Sequence, residues 1–337
     1  MPGPYDLSPE ALGELLAGEP RYRTTQVWEG LHRRALRPAE MTDLPRALRD
    51  RLESTLPPAL SAVARREADA GETVKWLFEL NDGARVETVL MAYADRVTVC
   101  VSTQAGCAMA CQFCATGQSG FQRQMSSGEI VEQVIAAVRQ ASPRRLSNVV
   151  FMGMGEPLAN FDSVWAAVTR LHADVGLSAR HLTLSTVGMV PGIRRLAAAP
   201  LPVNLAVSLH AANDALRDEL VPINRRYPLA DLAAACAEYV AATRRRLSIE
   251  WALIDSVNDR PSDAAELATF ARPLGAHVNL IPLNPTPRYP VRGTPPGGVR
   301  AFRDRLVDFG VNATVRATRG VEIDAACGQL AAPGRVR

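Results

Sequence analysis

Short apolar runs bounded by turn residues recur along most of the chain. They cover Arg96 to Val101, Asn148 to Met152, His181 to Ser185, Val203 to Ser208, Leu247 to Leu253 and His277 to Ile281. Runs of this kind read as strands buried on both faces. Stretches of helical periodicity lie between them, as at Leu229 to Arg244 and Val299 to Phe309. Ser126-Ser-Gly-Glu129 matches a capping box and predicts a helix reaching Arg139. Strands alternating with helices predict an α/β fold with a parallel sheet. Six such units are too few to close a full barrel, so an open, partial (β/α)6 barrel is expected, with its ligand site at the carboxyl ends of the strands. Polar residues gather there: Gly153-Met-Gly-Glu156, Ser185-Thr186, Ser208-Leu-His210 and Asn284-Pro285.

Two other patterns precede that core. Val74 to Leu80 and Ala84 to Met91 flank Asn81-Asp82-Gly83 and read as a β-hairpin. Alternation puts Val86, Thr88 and Leu90 on one face and Arg85, Glu87 and Val89 on the other, where Glu87 is most simply solvent-facing. Further upstream the pattern is helical. Ser8-Pro9-Glu10 is a strong helix start; Val27, Trp28 and Leu31 share one helical face; a third helix spans Leu44 to Leu52 before Pro57-Pro58. The expected organisation is an N-terminal helical domain at 1–62, a hairpin linker at 63–92, the barrel at 93–320 and a C-terminal segment at 321–337.

Composition narrows the function classes. No apolar run approaches a membrane span, and the N-terminus lacks a signal-peptide pattern, so a cytoplasmic protein without membrane association is expected, most simply a monomer. The net charge of +3 argues only weakly for nucleic acid. Lys75 is the single lysine; the other basic residues are arginines. Pairs such as Arg144-Arg145 and Arg225-Arg226, and the N-terminal Arg21, Tyr22, Arg23 and Trp28, suit either solvated and packed surface or contact with RNA.

Half of the six cysteines fall in Cys107-Ala-Met-Ala-Cys111-Gln-Phe-Cys114. Three soft thiolates on one loop suit an iron–sulfur cluster or zinc. They are one ligand short of a closed four-cysteine site, which in a four-iron cluster leaves one iron open to an exogenous ligand. Zinc would need a histidine, and none of His32, His172, His181, His210 and His277 sits at zinc-finger spacing from the trio. Packed thiols are the remaining reading.

With the trio after the first barrel strand, the chain resembles radical S-adenosylmethionine (SAM) enzymes. Val99-Cys100-Val-Ser-Thr-Gln-Ala-Gly-Cys107, Phe113 to Gln118, Gly153 to Pro157, Leu184 to Thr186, Ser208 to Ala211, Asn284-Pro285 and Ile323 to Leu330 are similar to the RlmN family, from about residue 20 onward. That resemblance implies methylation of C2 of an adenine in 23S rRNA and of an adenine beside the anticodon in some tRNAs. It implies a [4Fe-4S] cluster held by Cys107, Cys111 and Cys114, two SAM molecules per methylation, and an electron donor such as flavodoxin with its reductase.

The resemblance also assigns residues. Gly155 and Glu156 would meet the SAM amino group, with Ser185, Ser208, Leu209, His210 and Asn284 around the rest of the cofactor. Cys327 would be methylated by one SAM; its methyl group, activated by a second, would add to the adenine. Cys100 would resolve the protein–RNA adduct by forming a disulfide with Cys327. Glu87 would accept the proton from C2, which requires it to point inward. Cys236 reads as helix packing. Ala317 and Ser256 depart from common family forms. An adenine-C8 methyltransferase would share these motifs; a radical SAM enzyme acting on protein or small molecules, and a zinc-stabilised RNA-binding module, are the readings from other classes.

Overall fold

The computed structural model describes residues 3–286, 288–316, 319–326 and 328–330. Three helices open the chain: α1 (Pro9–Leu15), α2 (Tyr22–His32) and α3 (Arg46–Thr55). Ser8 caps α1, its Oγ accepting from Ala11 N at 3.2 Å. Leu12, Val27, Leu31, Met41, Leu48 and Leu52 are buried in a core continuous with that of the barrel. Polar ties reinforce the seam: Trp28 Nε1 donates to Asp174 Oδ1 at 3.1 Å, and Gly128 N to Asp6 Oδ1 at 2.8 Å.

A ten-stranded sheet follows. β1 (Leu60–Ala68), β2 (Thr73–Leu80), β3 (Arg85–Ala92) and β4 (Val97–Cys100) pair antiparallel in sequence. A short ribbon of β5 (Gln104–Gly106) and β6 (Phe121–Gln124) stands apart and brackets the cysteine loop with its one-turn helix α4 (Ala115–Gln118). The parallel part continues from β4 through β7 (Asn148–Phe151), β8 (Leu182–Thr186), β9 (Asn204–Ser208), β10 (Ser248–Leu253) and β11 (His277–Pro282) to β12 (Asn312–Val315).

Helices cross over between these strands: α5 (Ser127–Ala141), α6 (Phe161–Ala173), α7 (Val190–Ala197), α8 (Asp214–Leu220), α9 (Leu229–Thr243), α10 (Pro261–Ala271) and α11 (Pro296–Asp308). The capping box opens α5 as its sequence predicts: Glu129 N donates to Ser126 Oγ at 3.1 Å and Ser126 N to Glu129 Oε2 at 2.9 Å. Cys236 is fully buried on α9.

The six expected strands are all present, and β12 adds a seventh parallel strand. The sheet does not close into a barrel: β1 and β12 are its two ends. Beyond β12 the chain turns back toward the end of β3, where Arg319 Nη1 donates to Ala92 O at 2.8 Å and the guanidinium lies 4.4 Å from the Tyr93 ring centre. β1 is also unforeseen, and it begins inside the stretch read as helical.

The solvent-facing reading of Glu87 is incorrect. Its face of β3 is buried, Glu87 itself being 4% exposed, because the sheet curls and the C-terminal segment lies over that face. Among the described residues no helix is long and apolar enough to cross a membrane.

Candidate active site

The strands of the partial barrel end around a cavity of about 190 Å³. Cys107, Cys111 and Cys114 line it together with Cys100, Gly155, Glu156, Ser185, Ser208, His210 and Asn284. Residues from six separate segments, named from sequence alone, therefore meet at one place. Leu209 does not line this cavity: its side chain is fully buried in the core, while its N–H donates to Glu250 O at 3.1 Å. Cys327 lies outside the described residues. Its neighbours Ala326 and Gly328 line the cavity, and Ala115 N donates to Gly328 O at 2.8 Å beside the cysteine loop.

The cysteine loop is held by tight backbone packing. Gly106 has φ of +76°, and a Cβ there would sit 1.9 Å from Gly120 O across the ribbon. Cys107 N donates to that same carbonyl at 2.9 Å. Cys111 and Phe113 pack on Ala211, Ala252, Ile254 and Leu283 at the barrel rim. Burial pushes the Cys107 thiol up to about 12 and Cys111 well above its ordinary value, with repulsion between neighbouring thiolates adding to both. A cationic iron–sulfur core supplies the charge that makes such buried thiolates tolerable, so the donor set fits that group. Among the described residues no three His, Cys, Asp or Glu side chains surround a single ion-sized point. Binding one thiolate to each of three irons does not require that convergence.

Glu156 is 2% exposed at the start of the loop after β7. Oε1 accepts from Leu158 N at 2.9 Å and Oε2 from Val187 N at 2.8 Å. Burial pushes its pKa up to about 7 against these two donors. A ligand ammonium would hold it ionised. Gly155, at φ of +101°, passes so close to Gln104 that a Cβ would lie 2.6 Å from its side chain.

The other polar groups have defined roles. His210 adopts φ of 60°, uncommon for a residue with a side chain. Its Nδ1 accepts from Ala252 N at 2.9 Å, and burial, then the Arg217 charge, pushes its pKa down to about 3. It is therefore neutral with the proton on Nε2. Ser185 Oγ donates to Phe151 O at 2.7 Å, which leaves its lone pairs to accept.

Three organising residues have no signal in the sequence. Asn258 donates to His210 O at 2.8 Å and Ala252 O at 2.7 Å. Arg217 is fully buried on α8 and donates to Leu209 O at 3.1 Å, Asn224 Oδ1 at 2.8 Å and Val187 O at 2.6 Å. It thereby ties the loops that carry Glu156's partner and His210. Glu250 lines the cavity from β10. Buried polar residues such as these read as surface in a sequence; only the pairing of strands reveals them.

Glu87 lies elsewhere. It lines a second cavity of about 270 Å³ with Arg66, Lys75, Thr286, Asp324 and Gln329. Asp324 and Gln329 line this second cavity, whereas Ala325, Ala326, Gly328 and Leu330 line the first.

The Radical SAM superfamily model matches residues 101–268. A protein of Chloroflexus aurantiacus described as "Probable dual-specificity RNA methyltransferase RlmN" is 53% identical, over 97% of this chain and 92% of that one. A Salinispora tropica protein with the same description is 53% identical over 94% and 88%, and one from Roseiflexus is 46% identical over 98% and 96%. The crystal structure of a radical SAM methyltransferase from Sphaerobacter thermophilus superposes with a TM-score of 0.94 at 50% identity, covering 98% of this chain and 99% of that one.

Proposed function

The chain belongs to the RlmN family of radical SAM methyltransferases, and we propose that it methylates C2 of an adenine in 23S rRNA and of the adenine 3′ of the anticodon in some tRNAs. The observation that carries this reading is the meeting of the cysteine trio, Cys100 and the residues flanking Cys327 at one cavity.

In this reading Cys107, Cys111 and Cys114 hold a [4Fe-4S] cluster whose fourth iron position is left to SAM. When bound, cluster and SAM supply the electron and the adenosyl radical chemistry that a polar site lacks. Glu156 pairs with the SAM ammonium, and Gly155 lets the cofactor approach the backbone. The His210 Nε2–H and Asn284 offer hydrogen bonds to the nucleoside half, and the Ser185 lone pairs accept from it. The apolar rim formed by Phe113, Ala252 and Leu283 excludes water from the reacting groups.

Cys327 takes a methyl group from one SAM and presents it to the adenine, a second SAM being spent on its activation. Cys100, on the cavity wall, then attacks as a thiolate the sulfur of Cys327; the S–CH2 bond to the adenine breaks as the disulfide forms, and its electron pair passes to the carbon, which takes a proton to become the methyl group. In this reading Glu87, which lines the second cavity, accepts the C2 proton. On the same reading residues 1–62, helical as far as the start of β1, contact RNA, 63–92 connect them to the core at 93–320, and 321–337 carry Cys327. The partners are rRNA, tRNA and a low-potential electron donor such as flavodoxin, and the enzyme acts as a cytoplasmic monomer.

The test is mass spectrometry of digested rRNA and tRNA from a strain lacking this gene, complemented with wild type or Cys327→Ala. The expected result is loss of 2-methyladenosine that only wild type restores. Methylation restored by Cys327→Ala, or 8-methyladenosine as the product, overturns the assignment.

A further inference from the structure

Glu250 is 5% exposed on the cavity wall, and the roles above give it no task. It stands on β10 in register with Ser208 on β9 and Asn279 on β11. Oε1 accepts from Asn279 Nδ2 at 2.8 Å, and Asn279 is oriented in turn by Thr314 Oγ1, which donates to its Oδ1 at 3.1 Å. Oε2 has no hydrogen-bond donor, and Arg316 Nη1 faces it at 3.6 Å. Almost all buried polar atoms in folded proteins have a hydrogen-bond partner, and leaving a charged one unsatisfied is costly. The carboxylate is thus built in, with Oε1 hydrogen-bonded to Asn279 and Oε2 ion-paired with Arg316 but left without a hydrogen-bond donor.

Its place in the strand indicates what meets Oε2. The cysteine loop rests on Ala252 and Ile254, so Glu250 lies one pleat deeper on the same strand, beneath the loop. Leu209 N donates to Glu250 O, which fixes it beside Ser208 and His210. Glu156 and Glu250 line the same cavity, so a cofactor whose amino group meets Glu156 has its sugar within that cavity's reach of Glu250. Adenine is the poorer match, because its amino group is flanked by ring nitrogens that only accept, as a carboxylate does. A vicinal diol presents two donors, and a carboxylate beside a serine hydroxyl suits it.

We propose that Glu250 binds the ribose diol of SAM, Oε2 accepting from one hydroxyl while Ser208 meets the other. This rests on the SAM-dependent reading above and adds a cofactor-binding residue to it.

The test is calorimetric titration of the anaerobically reconstituted protein with S-adenosylhomocysteine, its 2′-deoxy and 3′-deoxy analogues, and its purine analogue lacking the amino group. At least one deoxy analogue should bind wild type about ten- to a hundred-fold more weakly than the parent, the scale of a hydrogen bond to a charged group. Glu250→Gln should bind the parent more weakly and lose little more on removal of that hydroxyl. Equal binding of parent and both deoxy analogues to wild type overturns the proposal without needing the variant. So does a full deoxy penalty retained in Glu250→Gln, or coupling of the variant to loss of the amino group. A wild-type protein that takes up no iron and binds no S-adenosylhomocysteine overturns the function itself, a different result from any of these.

Discussion

Lys75 Nζ lies 2.9 Å from Glu87 Oε1, and both side chains are buried. The same ammonium donates to Asp324 O at 3.1 Å, three residues before Cys327. One side chain thus joins β2, β3 and the C-terminal segment. A compact ammonium with three rotatable donors fits this role better than a planar guanidinium would, in a chain whose other basic residues are all arginine.

Removing one partner of such a pair leaves a buried charge. Lys75→Met should lower the unfolding free energy by about 3–5 kcal/mol, read from urea titrations. Replacing both partners, as in Lys75→Met with Glu87→Leu, should recover much of that loss, because no charge is then stranded. A double variant no more stable than the single would show that the pair is not what holds this face.

The cysteine loop depends on one close backbone approach. Gly106→Ala brings a Cβ to 1.9 Å from Gly120 O at a φ of +76°. Gly120 has the same φ but open space around it. The first substitution should cost about 2 kcal/mol or more, since strain and clash combine, and the second about 1 kcal/mol from strain alone. Iron taken up per chain during anaerobic reconstitution should fall for Gly106→Ala and stay near wild type for Gly120→Ala. Equal iron loading of both variants would contradict the role given to this crossing.

What the sequence discloses follows from how each feature is encoded. The buried strands β7 to β11 are visible because apolar runs on both faces leave no competing pattern. β12 escapes because only Ala313 of its four residues is buried, and β1 because seven consecutive positions between its buried ends are exposed. The cysteine trio is legible because its ligands are adjacent in the chain. Glu87 is harder: alternation gives its face, but which face is covered depends on a segment more than two hundred residues away, the separation of Lys75 and Asp324 being 249. Arg217 and Glu250 carry no pattern, since their burial is decided by the loops and strands that surround them.

Arg217 supports a further expectation. It is a buried cation whose three hydrogen-bond acceptors are neutral, and burial pulls its pKa down only to about 10, so it remains charged at neutral pH. Lysine cannot reach three acceptors spread over a guanidinium fork. Arg217→Lys and Arg217→Met should each lose about 2–4 kcal/mol of stability, from stranded acceptors and a cavity. Both should also weaken SAM binding by reconstituted protein in equilibrium dialysis, because Val187, whose N–H orients Glu156, loses its tie. Lysine behaving like wild type in both assays would remove the geometric argument.

Glu132 should make stability fall with rising pH. Its carboxyl sits under the junction of the N-terminal helices and β1, with Oε2 accepting from Ala59 N at 3.0 Å and Oε1 from Leu60 N at 3.3 Å. Burial outweighs those donors and pushes its pKa up to about 7, from an ordinary 4.5 in the unfolded chain. Below the unfolded value both states are protonated and the full stability is present. As pH rises, the unfolded chain ionises first, so stability drains away until the folded carboxyl has also ionised near pH 7; above that the loss is complete. The gap corresponds to about 3 kcal/mol at most. Glu132→Gln cannot ionise and has no such slope, although it gives up one acceptor. Subtracting its unfolding free energies from those of wild type between pH 4.5 and 8 isolates this group from all others. The difference should decline across that window and then level off. Parallel curves would mean that Glu132 titrates alike in both states, and that burial at this junction does not hold its proton.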